Sequence, residues 1–548
     1  MMLNITSSVF KKIKKLYSSK DIEYSTLSIR KNFSIKNEEF SVFTTLSKLD
    51  TMTILFDNKN DTNTRYVSLS KDEDKNYMVL SANRNIEEMR FDAACMMHKV
   101  LKAIEKADSK TICPNFTTSN KNFSREDKHF ACALLMPKMD LIAFITKKDE
   151  KGNYLYLDEN NELSFKNVNI IADHFGMPFN QCLSRIYHVY ESLKDENKNV
   201  FVIKGCYNKK QYKELKAQYT SEQREKDFNE VVTNYSEHRQ NMVSHLIDSL
   251  HYRSWNKLSE IAKRRILINL VKSDSVNEGV VKSEEEAKAI INNYVASGGT
   301  VYDGSLVTKN GEVDLSDEHL VVLGEYELYL KTLERGLIKG ITKSNPKLQY
   351  LLKMDYKDAI NSLNEKDLTN YIVDLHSRLF SNLSYKYGEK RGGFYRSGSV
   401  KLSGTNVSVP PHYMVPQLLD NISWRLLEIL KKNVDGKLTN SEYINEINGC
   451  IYDMIRLQPF SDGNKRVSRL VSNIFYQEKG IPYVLIPVKE WTNYVNAWSY
   501  EDVSLYNDMM QRMILDSYKY FYGDQSVNDA ANSRVIGQKI ILDKRVNK

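Results

Sequence analysis

Residues 455–470 of this 548-residue chain read IRLQPFSDGNKRVSRL. The polar run Asp462-Gly463-Asn464 predicts a loop, and the residues that follow from about Lys465 predict a helix. A glycine lets the backbone approach a ligand closely, and the free N–H groups at a helix N-terminus attract anions. This stretch therefore predicts an anion site at the start of a helix.

Three side chains of the same stretch point more narrowly to a polyphosphate. Arg466 and Arg469 are three positions apart, so both project near the same end of the helix. Asp462 supplies the hard oxygen that a phosphate-bound Mg²⁺ prefers as a ligand. The residues alone equally allow a second interpretation, in which an aspartate caps a helix that carries two surface arginines.

The wider context resembles one known family. The segment is similar to the Fic family signature H-P-F-x-D-G-N-G-R-x-x-R, and its G-N-K-R form resembles the related Doc branch. Upstream, GGFYRSGSVKLSGTNVSVPPHYMVPQLLD resembles the β-hairpin flap and proline-rich turn of that family. Downstream, SRLVSNIFYQEKGIPYVLI and WTNYVNAW resemble its closing helices. The resemblance covers about residues 330–525, and the matching motif residues are Pro459, Phe460, Asp462, Gly463, Asn464, Arg466 and Arg469.

The resemblance implies an all-helical domain, with a β-hairpin flap, that transfers part of a nucleotide to a protein hydroxyl. The usual transfer is of AMP from ATP, so ATP and Mg²⁺ are the expected cofactors. The flap strand would pair with an extended segment of a target protein, which is its expected partner. By position, Asp462 would hold Mg²⁺, and the anion hole would be formed by Gly463, Asn464 and Lys465. The outer phosphates would be bound by Arg466 and Arg469. The target would dock on Val400, Lys401 and Leu402 of the flap.

One departure from the family concerns the catalytic base. Gln458 stands where the family has a histidine. A carboxamide cannot take the proton of an attacking hydroxyl, whereas imidazole is suited to this near pH 7. No histidine follows His412, and Asp453 can face elsewhere. The sequence therefore predicts impaired nucleotidyl transfer; the alternative is an inactive Fic pseudoenzyme that binds nucleotide and a partner protein.

A second segment, residues 274–279 (DSVNEG), resembles the inhibitory segment of the family, S-[ST]-x-x-E-[GN], with Asp274 in place of the leading serine. In the family this glutamate, here Glu278, pairs with the second arginine of the motif, here Arg469, and competes with the γ-phosphate. A paired carboxylate occupies the fork that a phosphate needs. The alternative is an ordinary helix end at Glu278, terminated by Gly279.

The N-terminal half contains two segments that resemble the ImmA/IrrE-like metallopeptidases. SREDKHFACALLMP is similar to their signature E-x-x-A-x-x-F-A-x-x-L-L-M-P, and MRFDAACMMHKVLKA lies where they have R-F-x-x-A-H-E-x-G-H. Met96 replaces the catalytic glutamate and Lys99 the second zinc ligand, so neither function is retained. Cys95 takes the place of the first ligand, and His98 is one residue out of register. Residues 35–195 therefore predict a retained fold that binds an unknown partner; a Cys95–His98 metal pair is the alternative.

Composition limits the classes of function. Apolar residues make up 41% and charged residues 27%, with 10 prolines and 22 glycines, which is typical of a globular protein. The net charge of 78 − 70 = +8 is mild and argues against a dedicated nucleic-acid binder. No apolar stretch approaches the ~20 residues of a membrane span, and no signal peptide is visible. Six dispersed cysteines favour a reducing, cytoplasmic setting.

The chain is predicted to be mainly α and to have four parts. They are a degenerate peptidase-like α+β domain (1–200), a helical connector with an inhibitory helix at 274–293 (201–329), a Fic domain (330–525) and a C-terminal tail (526–548). In the first part FSVFTTL and TRYVSLS predict strands, since both are rich in β-branched and aromatic residues.

Overall fold

The computed structural model describes residues 15–18, 21–33, 43, 45, 53–57, 65–68, 76–81, 84–106, 123–196, 198, 200–218, 237–250, 255, 258, 260–298, 300–302, 305–308, 311–400, 402, 407–481, 483–500 and 502–518. In this part of the chain helices dominate and the strands form three small sheets, which confirms the mainly α class. No helix within these residues is long and apolar enough to cross a membrane. The residues fall into two units, unit one within 1–251 and unit two within 252–522.

Unit one combines helices with two small sheets. Strand β3 lies between β1, its parallel neighbour, and β2, its antiparallel neighbour, and β4 pairs with β5 in parallel. TRYVSLS contains β2, so that prediction is confirmed, whereas the strand predicted for FSVFTTL is wrong at its described residues, Phe43 and Thr45, which are helical. The elements are α1 (Ile22–Phe33), β1 (Thr53–Asp57), β2 (Arg65–Ser68), β3 (Asn76–Ser81), α2 (Ile86–Lys106), α3 (Arg125–Leu135), α4 (Lys138–Ile145), β4 (Glu162–Leu163), α5 (Phe165–His174), α6 (Phe179–Asp195), β5 (Val202–Ile203), α7 (Lys209–Gln218) and α8 (Glu237–Ser249).

A buried polar network lies where α2 packs against α3. His98 Nδ1 is 2.6 Å from a carboxylate oxygen of Asp127, and its Nε2 is 2.9 Å from the hydroxyl of Tyr17. Asp127 also completes the capping box at the start of α3 with Ser124. Both ring nitrogens of His98 are therefore engaged, and neither is free to bind a metal ion beside the fully buried Cys95. Among the residues that the structure describes, no group of three potential metal ligands occurs.

Unit two is a helical bundle with one antiparallel three-stranded sheet, in the order β6-β7-β8. Helix α11 is kinked at Gly336, which has φ 70°. The elements are α9 (Glu260–Asn277), α10 (Glu284–Ser297), β6 (Thr300–Tyr302), β7 (Ser305–Thr308), β8 (Gly311–Asp314), α11 (Asp317–Ser344), α12 (Tyr356–Asn361), α13 (Glu365–Leu379), α14 (Ser381–Tyr387), α15 (Val415–Val434), α16 (Asn440–Leu457), α17 (Asn464–Glu478), α18 (Trp491–Ser499) and α19 (Val503–Tyr518).

Helix α17 lies at the centre of unit two, packed against α11, α13 and α16. It is buried on almost every side, although a buried helix is usually apolar all round. Polar residues Arg466 and Arg469 lie on it in the interior. Helix α9 packs against α11, so the segment that precedes Glu278 belongs to the same unit as α17.

The segment with the predicted flap follows α14. Its described residues, which include Val400 and Leu402, belong to no strand, and both of these side chains are partly buried. Lys401 and residues 403–406, where the tip of the predicted hairpin would be, lie outside the described residues.

Candidate functional site

The loop between α16 and α17 is held in a shape that only certain residues permit. Gln458 ends α16 in the left-handed region, at φ 48° and ψ 62°. Gly463 precedes α17 at φ 70°, and a Cβ atom there would lie 3.0 Å from the Phe380 ring and 3.1 Å from Leu379. A side chain at this position would therefore be both strained and crowded, so the loop requires glycine.

Asn464, the first residue of α17, uses its side chain to close the loop. Its Oδ1 accepts a hydrogen bond from the Phe460 amide at 2.8 Å. Its Nδ2 donates to the Phe460 carbonyl at 2.8 Å and to Gln458 Oε1 at 3.1 Å. The buried Asn464 side chain therefore shapes the loop.

A histidine that the sequence analysis did not consider supports the same loop. The His376 ring, on α13, stacks on Phe460 with ring centroids 3.8 Å apart. The Gly393 amide donates to its Nδ1 at 2.9 Å, so the proton lies on Nε2, which donates to the Asp462 carbonyl at 3.0 Å. Burial lowers the pKa of His376 to about 4, which keeps it neutral. It is a structural tie between the loop and Gly393, where the flap segment begins.

Arg396 makes a second connection between the flap segment and the loop. It is buried, and its guanidinium donates to the carbonyls of Gln458 at 2.7 Å and Gly398 at 2.8 Å. It also donates to the Pro410 carbonyl, and its own amide donates to the Pro459 carbonyl. Arg396 therefore fixes both ends of the flap segment to the end of α16.

Gln458 is engaged at both ends of its side chain. Nε2 donates to the Ile455 carbonyl at 2.6 Å, and Oε1 accepts from Asn464. Only 6% of the residue is exposed. Asp453, an acidic residue on α16, pairs with Arg425. Neither residue is placed as a proton acceptor in this arrangement.

The two arginines of the motif are buried and only partly paired. Arg466 is 4% exposed and Arg469 is 3% exposed. Arg466 Nη2 lies 3.5 Å from the Asp462 carboxylate, whose side chain is 77% exposed. The described residues offer no hydrogen-bond acceptor to Nε and Nη1 of Arg466, or to Nη1 of Arg469.

Glu278 reaches this site from the end of α9. It follows the last helical residue, and Gly279 comes next at φ 69°, so the segment is also an ordinary helix end. Glu278 Oε1 accepts from Arg469 Nη2 at 2.8 Å, and Oε2 lies 3.0 Å from Lys465 Nζ. Burial alone would raise the pKa of Glu278, but the charges of Arg469 and Lys465 outweigh it and lower the pKa. Glu278 is therefore an anion held where the motif cations meet.

Trp491, at the start of α18, covers the same cations. The Lys465 ammonium lies 4.9 Å, and the Arg469 guanidinium 5.3 Å, from the centre of its ring. This contact had no counterpart in the sequence analysis. Two cations beside one indole make Trp491 a natural fluorescent reporter of changes at the site.

Comparison with known protein families identifies this region, since the Fic/DOC family matches residues 367–476. Residues 367–476 form a Fic/DOC domain. Two relatives, each called protein adenylyltransferase fic-1, match 123 residues: the one from Caenorhabditis elegans at 28% identity and the one from Caenorhabditis briggsae at 27%. Each match covers 22% of this chain and 22% of the relative, so the chain spans about a fifth of their length.

Two solved structures are similar to parts of the chain at low scores. Part of Fic-1 from C. elegans gives a TM-score of 0.36 at 18% identity, covering 64% of this chain and 88% of that one. A Fic domain containing signaling protein from Bacteroides thetaiotaomicron gives 0.33 at 13% identity, covering 49% and 90%.

The tertiary structure brings most of the sequence-predicted site residues of the Fic/DOC domain together. Glu278, from outside the matched range, meets them directly. The described residues Val400 and Leu402 belong to the flap segment, not to this cluster. The clustered residues are Gln458, Asp462, Gly463, Asn464, Lys465, Arg466 and Arg469.

Proposed function

We propose that the Fic/DOC domain binds ATP with Mg²⁺ at the start of α17. The observation that carries this proposal is the pair of buried guanidiniums, Arg466 and Arg469, with N–H groups that lack an acceptor among the described residues. A buried donor without an acceptor costs about 1–3 kcal/mol, so its retention indicates a ligand that satisfies it. The free N–H groups at the start of α17, after Gly463, add to the attraction for phosphate.

Asp462 fits a role in holding Mg²⁺. Its carboxylate is mostly exposed at the tip of the loop, with one oxygen accepting from the Gly463 amide at 2.6 Å. Mg²⁺ is commonly held by one or two carboxylates together with substrate phosphates, so one carboxylate is sufficient. When bound, the metal would neutralise charge on the phosphates, while Asp462 fixes its position.

The proposed reaction is transfer of AMP to a protein hydroxyl, the activity for which the Fic-1 relatives are named. The hydroxyl oxygen forms a bond to the α-phosphorus, the bond from that phosphorus to the bridging oxygen breaks, and pyrophosphate leaves. The hydroxyl proton must pass to a base. Gln458 has no usable basicity, so we expect transfer to be slower by about 10²–10⁴ than with an imidazole there.

The second candidate function is nucleotide-dependent binding without transfer. It is favoured by the hydrogen bonds of Gln458, which use its amide and its carbonyl to hold the loop. In this case ATP would stabilise the loop and the flap segment for a partner protein. Val400, Lys401 and Leu402 would contact that partner by strand addition, and the peptidase-like N-terminal domain would bind a second, unknown one.

Calorimetric titration of the full chain with ATP in the presence and absence of Mg²⁺ tests the proposal. We expect saturable binding that tightens in Glu278→Gly, becomes less dependent on Mg²⁺ in Asp462→Ala, and is lost in Arg466→Gln. Lys437→Gln, which removes a cation whose side chain is 65% exposed, is the control and should leave binding unchanged. No binding by either the unmodified protein or Glu278→Gly would refute the nucleotide site.

Incubation with cell lysate and ATP labelled on the α-phosphate then separates the two candidates. Labelled protein bands that disappear in Asp462→Ala indicate transfer. Binding without labelled bands indicates the pseudoenzyme.

A further inference from the structure

Arg469 is held by two carboxylates, although the sequence analysis assigned it only one. Asp274 and Glu278 lie one helical turn apart at the end of α9, so both face the same neighbour. Asp274 Oδ1 lies 2.9 Å from Nε of Arg469, and Glu278 Oε1 lies 2.8 Å from its Nη2. The side chains of Asp274 and Arg469 are each 4% exposed, so water hardly screens this ion pair.

Asp274 is fixed in place by its surroundings. The buried Tyr329, on α11, donates its hydroxyl to Asp274 Oδ2 at 3.3 Å. Glu325, one turn earlier on the same helix, is a third buried carboxyl group near the arginines. Burial first, and the Asp274 carboxylate second, raise the pKa of Glu325 well above its usual range, which favours its neutral form. Asp274 and Glu278 are therefore the two carboxylates that balance the charge of Arg469.

The two carboxylates lie beside different nitrogens of one guanidinium. Nε and Nη2 lie on the same edge of the group; Asp274 forms an ion pair at the first without hydrogen-bond geometry, whereas Glu278 accepts a hydrogen bond from the second. Burial opposes the charge of Arg469, but Asp274 and then Glu278 outweigh it and raise its pKa. Loss of Glu278 alone would free Nη2, but Asp274 would still neutralise the cation and hold α9 against α17.

We propose that Asp274 is a second inhibitory carboxylate, so that entry of a third phosphate is controlled by two residues, Asp274 in the last turn of α9 and Glu278 just after it. This inference rests on the proposed nucleotide site. A γ-phosphate has to compete with both anions for Arg469, so removing either should tighten ATP binding and removing both should tighten it most. ADP has no γ-phosphate and should respond less.

The test is titration of the full chain with ATP·Mg²⁺ and with ADP·Mg²⁺, followed by calorimetry or by tryptophan fluorescence. The variants are Asp274→Asn, Glu278→Gly and the double change, with Asp274→Ser as a second, smaller replacement. Glu285→Gln removes the same charge from the exposed surface of α10 and is the control. Thermal melting of each variant identifies any that fails to fold.

In the Glu278→Gly background we expect Asp274→Asn to tighten ATP binding about tenfold, within the range of about 5- to 150-fold that is typical of coupled sites. ADP binding should change by less than about twofold, and Glu285→Gln should change neither. If ATP binds to Glu278→Gly but both Asp274 variants leave its affinity unchanged or weaker, Asp274 only positions Arg469 and the inference is wrong. If ATP binds to no variant, including the double change, the nucleotide site itself is refuted and this inference falls with it.

Discussion

Replacing Gln458 by histidine separates the two candidate functions, and the structure sets the expected size of the effect. The side chain of Gln458 makes two buried hydrogen bonds, to the Ile455 carbonyl and to Asn464. Each contributes about 0.5–1.5 kcal/mol net, so their loss lowers the free energy of unfolding by about 1–3 kcal/mol. The backbone should tolerate the change, because histidine is among the residues enriched at positive φ.

That loss predicts a lower melting temperature, by roughly 2–4 °C for each kcal/mol in a unit of this size. A histidine at this position would add the missing proton acceptor, which is worth about 10²–10⁴ in rate. The gain is expected only when Glu278 no longer competes for Arg469. The double variant Gln458→His with Glu278→Gly should therefore melt at a lower temperature than the unmodified protein, and yet it should label itself or lysate proteins strongly.

The assay is incorporation of label from the α-phosphate of ATP. Gln458→Ala combined with Glu278→Gly is the matched control, since it loses the same two hydrogen bonds and supplies no base. Equal labelling by the alanine and histidine variants, or silence of the histidine variant despite measured ATP binding, would refute this reasoning. Strong labelling by the unmodified protein, lost in Asp462→Ala, would show that another group acts as the base.

Three further predictions concern the support of the loop and the N-terminal unit. The pKa of His376 is lowered to about 4 in the folded state, from about 6.5 when unfolded, so its contribution to the free energy of unfolding is complete above pH 6.5. As the pH falls toward 4 that contribution is lost, by about 3 kcal/mol. Urea unfolding from pH 4 to 7 should therefore show a shallower pH dependence in His376→Phe, and an equal slope would contradict the assignment. Gly463→Ala should lower the free energy of unfolding by about 2 kcal/mol or more, since it adds contacts at 3.0–3.1 Å to the strain of positive φ. Gly436 is the control, because it also has φ 70° but no atom lies within 4 Å of its Cβ position. In the same thermal melts, Gly436→Ala should lower the free energy of unfolding by only about 1–2 kcal/mol. Protein purified without chelator should contain no stoichiometric zinc by elemental analysis, because both ring nitrogens of His98 are engaged; zinc that is lost in Cys95→Ala would overturn this.

Local patterns in the sequence were sufficient to predict the loop and the helix that follows it. Gly463 and Asn464 are short-range signals, because a glycine at positive φ and a side chain that closes its own loop act within a few residues. The helix end before Glu278 is likewise indicated by a residue close to it in the sequence, Gly279 at positive φ. The strand predicted for FSVFTTL is wrong, because β propensity is weak and depends on the tertiary setting.

The partners of the charged and aromatic groups were decided by tertiary packing alone. His376 stacks on Phe460 because α13 packs beside α17, and nothing within either segment encodes that distance. Asp274 was noted only as a departure from a motif, yet it pairs with Arg469 because α9 and α17 meet in one buried interior. A buried charge is stable only where the fold places an opposite charge beside it. The residue types therefore predict an anion site, whereas the packing alone determines that the Asp274 and Glu278 carboxylates lie beside its cations.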